Sequence, residues 1–137
     1  MRLSLLLTVL LAGCASISAR QPSSEEMDAV RVAEEFVVRN GYTSLGHPAG
    51  LPVQRVSIFD VLASDEELVK ERKGLLEPHA VAVEEVGPAI FWVYFPESGS
   101  KDSPRIVYVK NGQAAQLFHQ SYGMPGRKAK PVLPSAF

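Results

Sequence analysis

The 137-residue chain is 46% hydrophobic and 21% charged, with a formal net charge of −1. That length supports one domain with a substantial core, and that charge gives no general attraction to nucleic acid or anionic lipid. A lone cysteine, Cys14, excludes an internal disulfide and any paired-thiol metal site.

The opening, MRLSLLLTVLLAGCAS, has three zones. Met1 and Arg2 form a positive end, Leu5 to Leu11 a short apolar run, and Ala12 and Gly13 the small residues a signal peptidase requires. The apolar run falls short of the about 20 residues needed to span a bilayer. Leu11-Ala12-Gly13-Cys14 resembles the lipobox of bacterial lipoproteins. The resemblance implies a diacylglycerol thioether on Cys14, cleavage of residues 1–13 as a signal peptide, and Cys14 as the mature N-terminus. Two or more acyl chains hold a membrane stably where one does not. Ala15 after the cysteine, rather than Asp, implies sorting to the outer membrane on its periplasmic face. Removing residues 1–13 takes away one charged group, Arg2, and shifts the formal charge to −2.

Residues 14–24 follow as a lipidated tether: ASISARQPSS is small and polar, and ten extended residues reach at most about 35 Å. A single domain is expected over residues 25–122. Its first helix is predicted at 25–39. Ser23 and Glu26 have capping-box spacing, acidic residues suit the helix N-terminus, and Asn40-Gly41 supplies the stop. Met27, Val30, Ala33 and Val37 would form its buried stripe, with Phe36 beside them. VQRVSIFDVL (53–62) alternates as a strand would. Ser64 and Glu67 form a second capping box, opening a short helix at 65–74 in which Glu66 and Lys70 stand four apart and Leu68 and Leu75 face the body.

From residue 78 the period becomes two. HAVAVEEV (79–86) predicts a strand with His79, Val81, Val83 and Glu85 on one side, and Gly87-Pro88 a turn. AIFWVYF (89–95) suits a central strand covered on both faces. ESGSKDS (97–103) reads as a polar loop. RIVYVK, Asn111-Gly112 and QAAQLFHQ (105–120) read as a hairpin with a type I′ turn, placing Lys110 opposite Gln113, Tyr108 opposite Ala115 and Ile106 opposite Leu117. Residues 123–137, rich in Pro and Gly, read as an irregular basic tail.

The expected fold is therefore α+β: one long N-terminal helix packed on a curved antiparallel sheet of about five strands, with a short second helix. Over residues 25–120 the element order resembles cystatin-like and NTF2-like domains. Some NTF2-like relatives use a pocket on the concave sheet face, so that resemblance directs attention to acids and histidines there.

The chain has no HExxH, GxSxG or phosphate-loop motif. His47, His79 and His119 are too far apart in sequence for local metal spacing. Glu25-Glu26, Glu34-Glu35 and Glu66-Glu67 read as solvated helix faces and cap charges, because helix neighbours point about 100° apart. One member of Glu84-Glu85 must face inward on a strand, and Asp60 is the best lone candidate for a buried acid. Phe91, Trp92, Tyr94 and Phe95 read as core rather than pocket, and Arg127, Lys128 and Lys130 as a solvated cluster. Cys14 is thus the one assigned site, the lipidation site; no catalytic residue, metal or cofactor is expected. The leading expectation is a non-enzymatic binding module on the outer membrane, its partners the membrane through Cys14 and a protein or envelope polymer, with no nucleic acid. The alternatives are an immunity or inhibitor protein against a periplasmic toxin or hydrolase, and a small ligand-binding or enzymatic NTF2-like domain.

Overall fold

In the computed structural model, which describes residues 21–119 and 129–133 and the side chains of all of these but 100–103 and 116–119, the first capping box forms as its spacing predicts. The Glu26 N–H donates to Ser23 Oγ at 3.1 Å, and the Ser23 N–H to Glu26 Oε1 at 2.9 Å. Helix α1 runs from there over Ser24–Arg39. It stops where Gly41 takes a left-handed φ of +81°. A Cβ at that position would lie 3.0 Å from the His47 Cα, so backbone conformation and close packing both require glycine. The buried stripe is Glu26, Ala29, Val30, Ala33 and Val37. Met27 does not join it and is 42% exposed. Glu26 takes the inward place instead, because its cap bond and an ion pair with Lys130 satisfy the carboxylate there.

Five antiparallel strands form one open sheet: β1 (Ala82–Gly87), β2 (Ile90–Glu97), β3 (Ser100–Lys110), β4 (Gln113–His119) and β5 (Lys130–Pro131), in the order β4-β3-β2-β1-β5. With α1 and a short helix α2 (Asp65–Arg72) this is an α+β fold. The apolar run in β2 is the middle strand, covered on both faces. Phe91, Val93 and Phe95 join Val83, Val107 and Val109 against Ala29, Val30, Ala33 and Val37 of α1. On the opposite face Tyr94 packs with Ala82 and Ile106, the half-buried Trp92 beside them. Glu84 also lies on that side, accepting a hydrogen bond from the Tyr94 hydroxyl at 2.9 Å, whereas Glu85 is exposed.

Six local expectations are corrected. Residues 53–62 are not a strand: they hold a 3-10 turn, Ile58–Asp60, inside an irregular segment, because Asp60 folds back to the N–H groups of Val56 and Ser57. The fifth strand comes instead from Lys130–Pro131, in a stretch read as irregular tail; it pairs with Ala82 and Val83. Residues 120–128 and 134–137 lie outside the described residues, as do residues 1–20 with Cys14. The segment 97–103 is not a loop but a tight turn, Glu97 pairing with Ser100 across Ser98 and Gly99. In the hairpin Lys110 does face Gln113, but a bulge follows, so Tyr108 faces Gln116 and Ile106 faces Phe118. One extra residue on β4 shifts every later pair by one. The second helix is slightly shorter than expected, with the Ser64 and Glu67 box intact. Strand β1 begins at Ala82, leaving His79 and Val81 exposed.

The β1–β2 turn stores strain at Ala89, whose φ is +55° although it carries a Cβ. Its carbonyl accepts the Asn111 N–H at 2.9 Å, which ties this turn to the Asn-Gly turn of the next hairpin. A left-handed non-glycine residue costs about 1–2 kcal/mol, partly offset in a glycine variant by greater unfolded-chain entropy. Ala89→Gly is therefore expected to raise stability by about 0.5–1 kcal/mol, read as a higher urea midpoint at unchanged slope; a lower midpoint contradicts the strain.

Candidate functional site

The strongest concentration of buried charge lies at the C-terminal end of α1. Arg72, the last residue of α2, is 4% exposed at its side chain and pairs with Asp60 at 2.9 Å. Its two terminal nitrogens also donate to the carbonyls of Gln54 and Asn40, and its guanidinium sits 5.1 Å from the centre of the Tyr42 ring. Asp60 Oδ2 in turn accepts from the N–H groups of Val56 (2.9 Å) and Ser57 (3.2 Å). Asp60, the acid the sequence singled out, is thus half-buried rather than buried. Its oxygen faces a guanidinium and two backbone amides, which makes it a brace for the turn. Arg72 was missed from sequence. The available signal was its spacing four residues after the buried Leu68, on the inward face of α2.

Burial pushes the Tyr42 phenol up to about 12, with the Arg72 charge acting in the opposite direction. The histidines are dispersed. His47 is half-buried against Gly41, with Nε2 2.7 Å from the Leu51 carbonyl. His79 is exposed, its Nδ1 3.5 Å from Glu34, whose other oxygen accepts the Ala80 N–H. His119 ends β4 opposite Arg105, its side chain outside the described residues. Phe91, Tyr94 and Phe95 are core. Lys130 pairs with Glu26, while Arg127 and Lys128 lie outside the described residues.

Two surface features remain. An open groove of about 400 Å³ runs between the N-terminal half of α1 and the two hairpin turns, with Glu25, Asp28 and Arg31 on its rim and Phe91 and Val109 on its floor. At the other end of α1, the braced turn presents Ile58, Phe59, Val61 and Leu62 at 75%, 88%, 65% and 97% exposure. Among the described residues no group of three or more His, Cys, Asp or Glu is placed to hold a metal ion, and no helix is long and apolar enough to cross a membrane.

Removing one member of a buried ion pair strands the other. Asp60→Ala is expected to lower stability by about 3–5 kcal/mol in urea unfolding, and a loss under about 1 kcal/mol would remove the brace from the account of this end. Tyr42 makes a prediction at high pH. Between its ordinary value of 10.0 and about 12 the unfolded chain releases the phenolic proton while the folded chain keeps it. Its contribution is therefore complete below pH 10 and lost as pH rises through 12, roughly 2–3 kcal/mol in all. Urea unfolding across that window should show a shallower decline in Tyr42→Phe than in the unaltered chain; equal slopes refute the assignment. No protein-family model, curated protein or solved structure matches this chain.

Proposed function

We propose that the chain is an outer-membrane lipoprotein, held on the periplasmic face by lipid on Cys14, whose α+β domain acts by binding a protein or envelope polymer rather than by catalysis. The observation that carries this reading is the order Leu11-Ala12-Gly13-Cys14 after a short apolar run, with the only cysteine of the chain at the point where lipid would be added. A non-catalytic role draws support from the chemistry of the candidates. Asp60 is occupied by Arg72 and two amides, and His47 and His79 stand in separate loops.

The test is Cys14→Ser with labelled palmitate and density fractionation of the envelope. The unaltered protein should take up label and sediment with the outer membrane. The variant should lose the label and appear in soluble fractions or as unprocessed precursor. Outer-membrane fractionation of Cys14→Ser ends the lipoprotein reading, and inner-membrane fractionation of the unaltered protein ends the sorting assigned from Ala15.

A further inference from the structure

We infer that the turn carrying Ile58, Phe59, Val61 and Leu62 is a second membrane contact, dipping into an electrically neutral bilayer surface beside the lipid anchor. The inference rests on the lipid-anchor reading above. Four such side chains at 65–97% exposure place on the order of 500 Å² of apolar surface in water, the size of the largest apolar patch on a soluble monomer, which is often a functional surface.

The turn is built to keep that surface outward. Asp60, the one residue of 58–62 that points inward, is held by the buried Arg72. Part of the backbone around it is satisfied from within. The Val56 and Ser57 N–H groups donate to Asp60, the Asp60 N–H to the Ser57 carbonyl, and the Ala63 N–H to the Asp60 carbonyl. Arg55 donates to the Ala63 carbonyl from the side. Groups bonded in this way are not stranded when the turn leaves water for the polar interfacial region.

The occupant follows from reach and charge. Cys14 is joined to α1 by a tether that spans at most about 35 Å, and the 16 residues of α1 cover about 24 Å between the tether and the apolar turn. With α1 lying along the bilayer plane, lipid and turn touch the same leaflet. A second copy is a poorer occupant, because Asp65, Glu66 and Glu67 follow the turn on the exposed surface. A two-fold contact would set each acidic cluster near its like. The same acids mean that contact is driven by apolar burial, so anionic lipid adds nothing to it.

Because lipid caps Cys14, Leu62→Cys can carry a single environment-sensitive fluorophore on the full-length lipidated protein. The protein is reconstituted in phosphatidylcholine vesicles with and without spin-labelled lipid. Insertion predicts a blue-shifted emission that spin-labelled lipid quenches, unchanged by added salt or phosphatidylglycerol. The same probe in a chain also carrying Phe59→Asp and Val61→Asp, both at exposed positions, should lose shift and quenching while the protein stays on the vesicles. A water-like probe on vesicle-bound protein overturns the inference and leaves the anchor standing. Equal quenching in the charged variant overturns it too, since tethering alone then explains the proximity. A probe shielded only on adding envelope extract assigns the turn to a protein instead. Protein that carries no lipid and stays off the vesicles overturns the anchor reading, and this inference with it.

Discussion

The buried guanidinium of Arg72 is the constraint on which one half of the domain depends. Residues 41–64 contain a single short 3-10 turn and little apolar burial beyond Tyr42 and Val56. Such a segment cannot order itself through backbone ladders. An arginine offers several donors in a fixed plane, and here they reach Asn40, Gln54 and Asp60 from one point. Two stretches of chain, at Asn40 and over Gln54 to Asp60, are thereby held to the end of α2. Taking that charge out of water is favourable only because acceptors surround it, so removing any one of them leaves a cation with too few partners.

Backbone bonds extend the same arrangement to the sheet. The Leu76 N–H donates to the Tyr42 carbonyl and the Gly74 N–H to the Thr43 carbonyl, both at 2.9 Å. The Ser98 N–H then donates to Leu75, and Leu76 bridges to Glu97 at the end of β2. At the far end of α1 a second charged contact closes the molecule. Burial pushes the Glu26 carboxyl up, but the Lys130 ammonium and the Ser23 amide outweigh it, and the net shift is downward. That contribution is complete above the ordinary carboxylate range and lost as pH falls through the lowered value. Glu26 therefore joins the helix cap to β5 through one ionised oxygen.

The two ends of α1 thus differ in kind. The N-terminal end carries the Glu26 clasp and an open groove with a mainly acidic rim. The C-terminal end carries the brace and the apolar turn above it. Titratable side chains sit at both ends, and the buried ones, Glu26 and Arg72, are bound to an opposite charge in a way that orders a cap and a loop. Exposed apolar side chains at one end, rather than a cluster of acids and bases, are the feature that fold stability does not explain.

Local signals in the sequence determined the elements whose stabilisation is local. Both helices were legible because Ser23 with Glu26, and Ser64 with Glu67, satisfy orphan amides within one turn. The central strand was legible from an apolar run needing cover on both faces, and the last hairpin from Asn111-Gly112. The proposed lipobox at Cys14 likewise rests on contiguous residues, which lie outside the described ones. Tertiary structure alone decided the rest. The alternation in 53–62 suggested a strand, but Asp60 gains more from Arg72 and two amides than a ladder offers. The β4 bulge and the pairing of Lys130–Pro131 with β1 depend on partners remote in sequence. The exposed apolar turn was hidden by the same rule that usually succeeds. Ile58, Phe59, Val61 and Leu62 have the composition of buried residues, and only a brace formed across the fold turns them toward solvent.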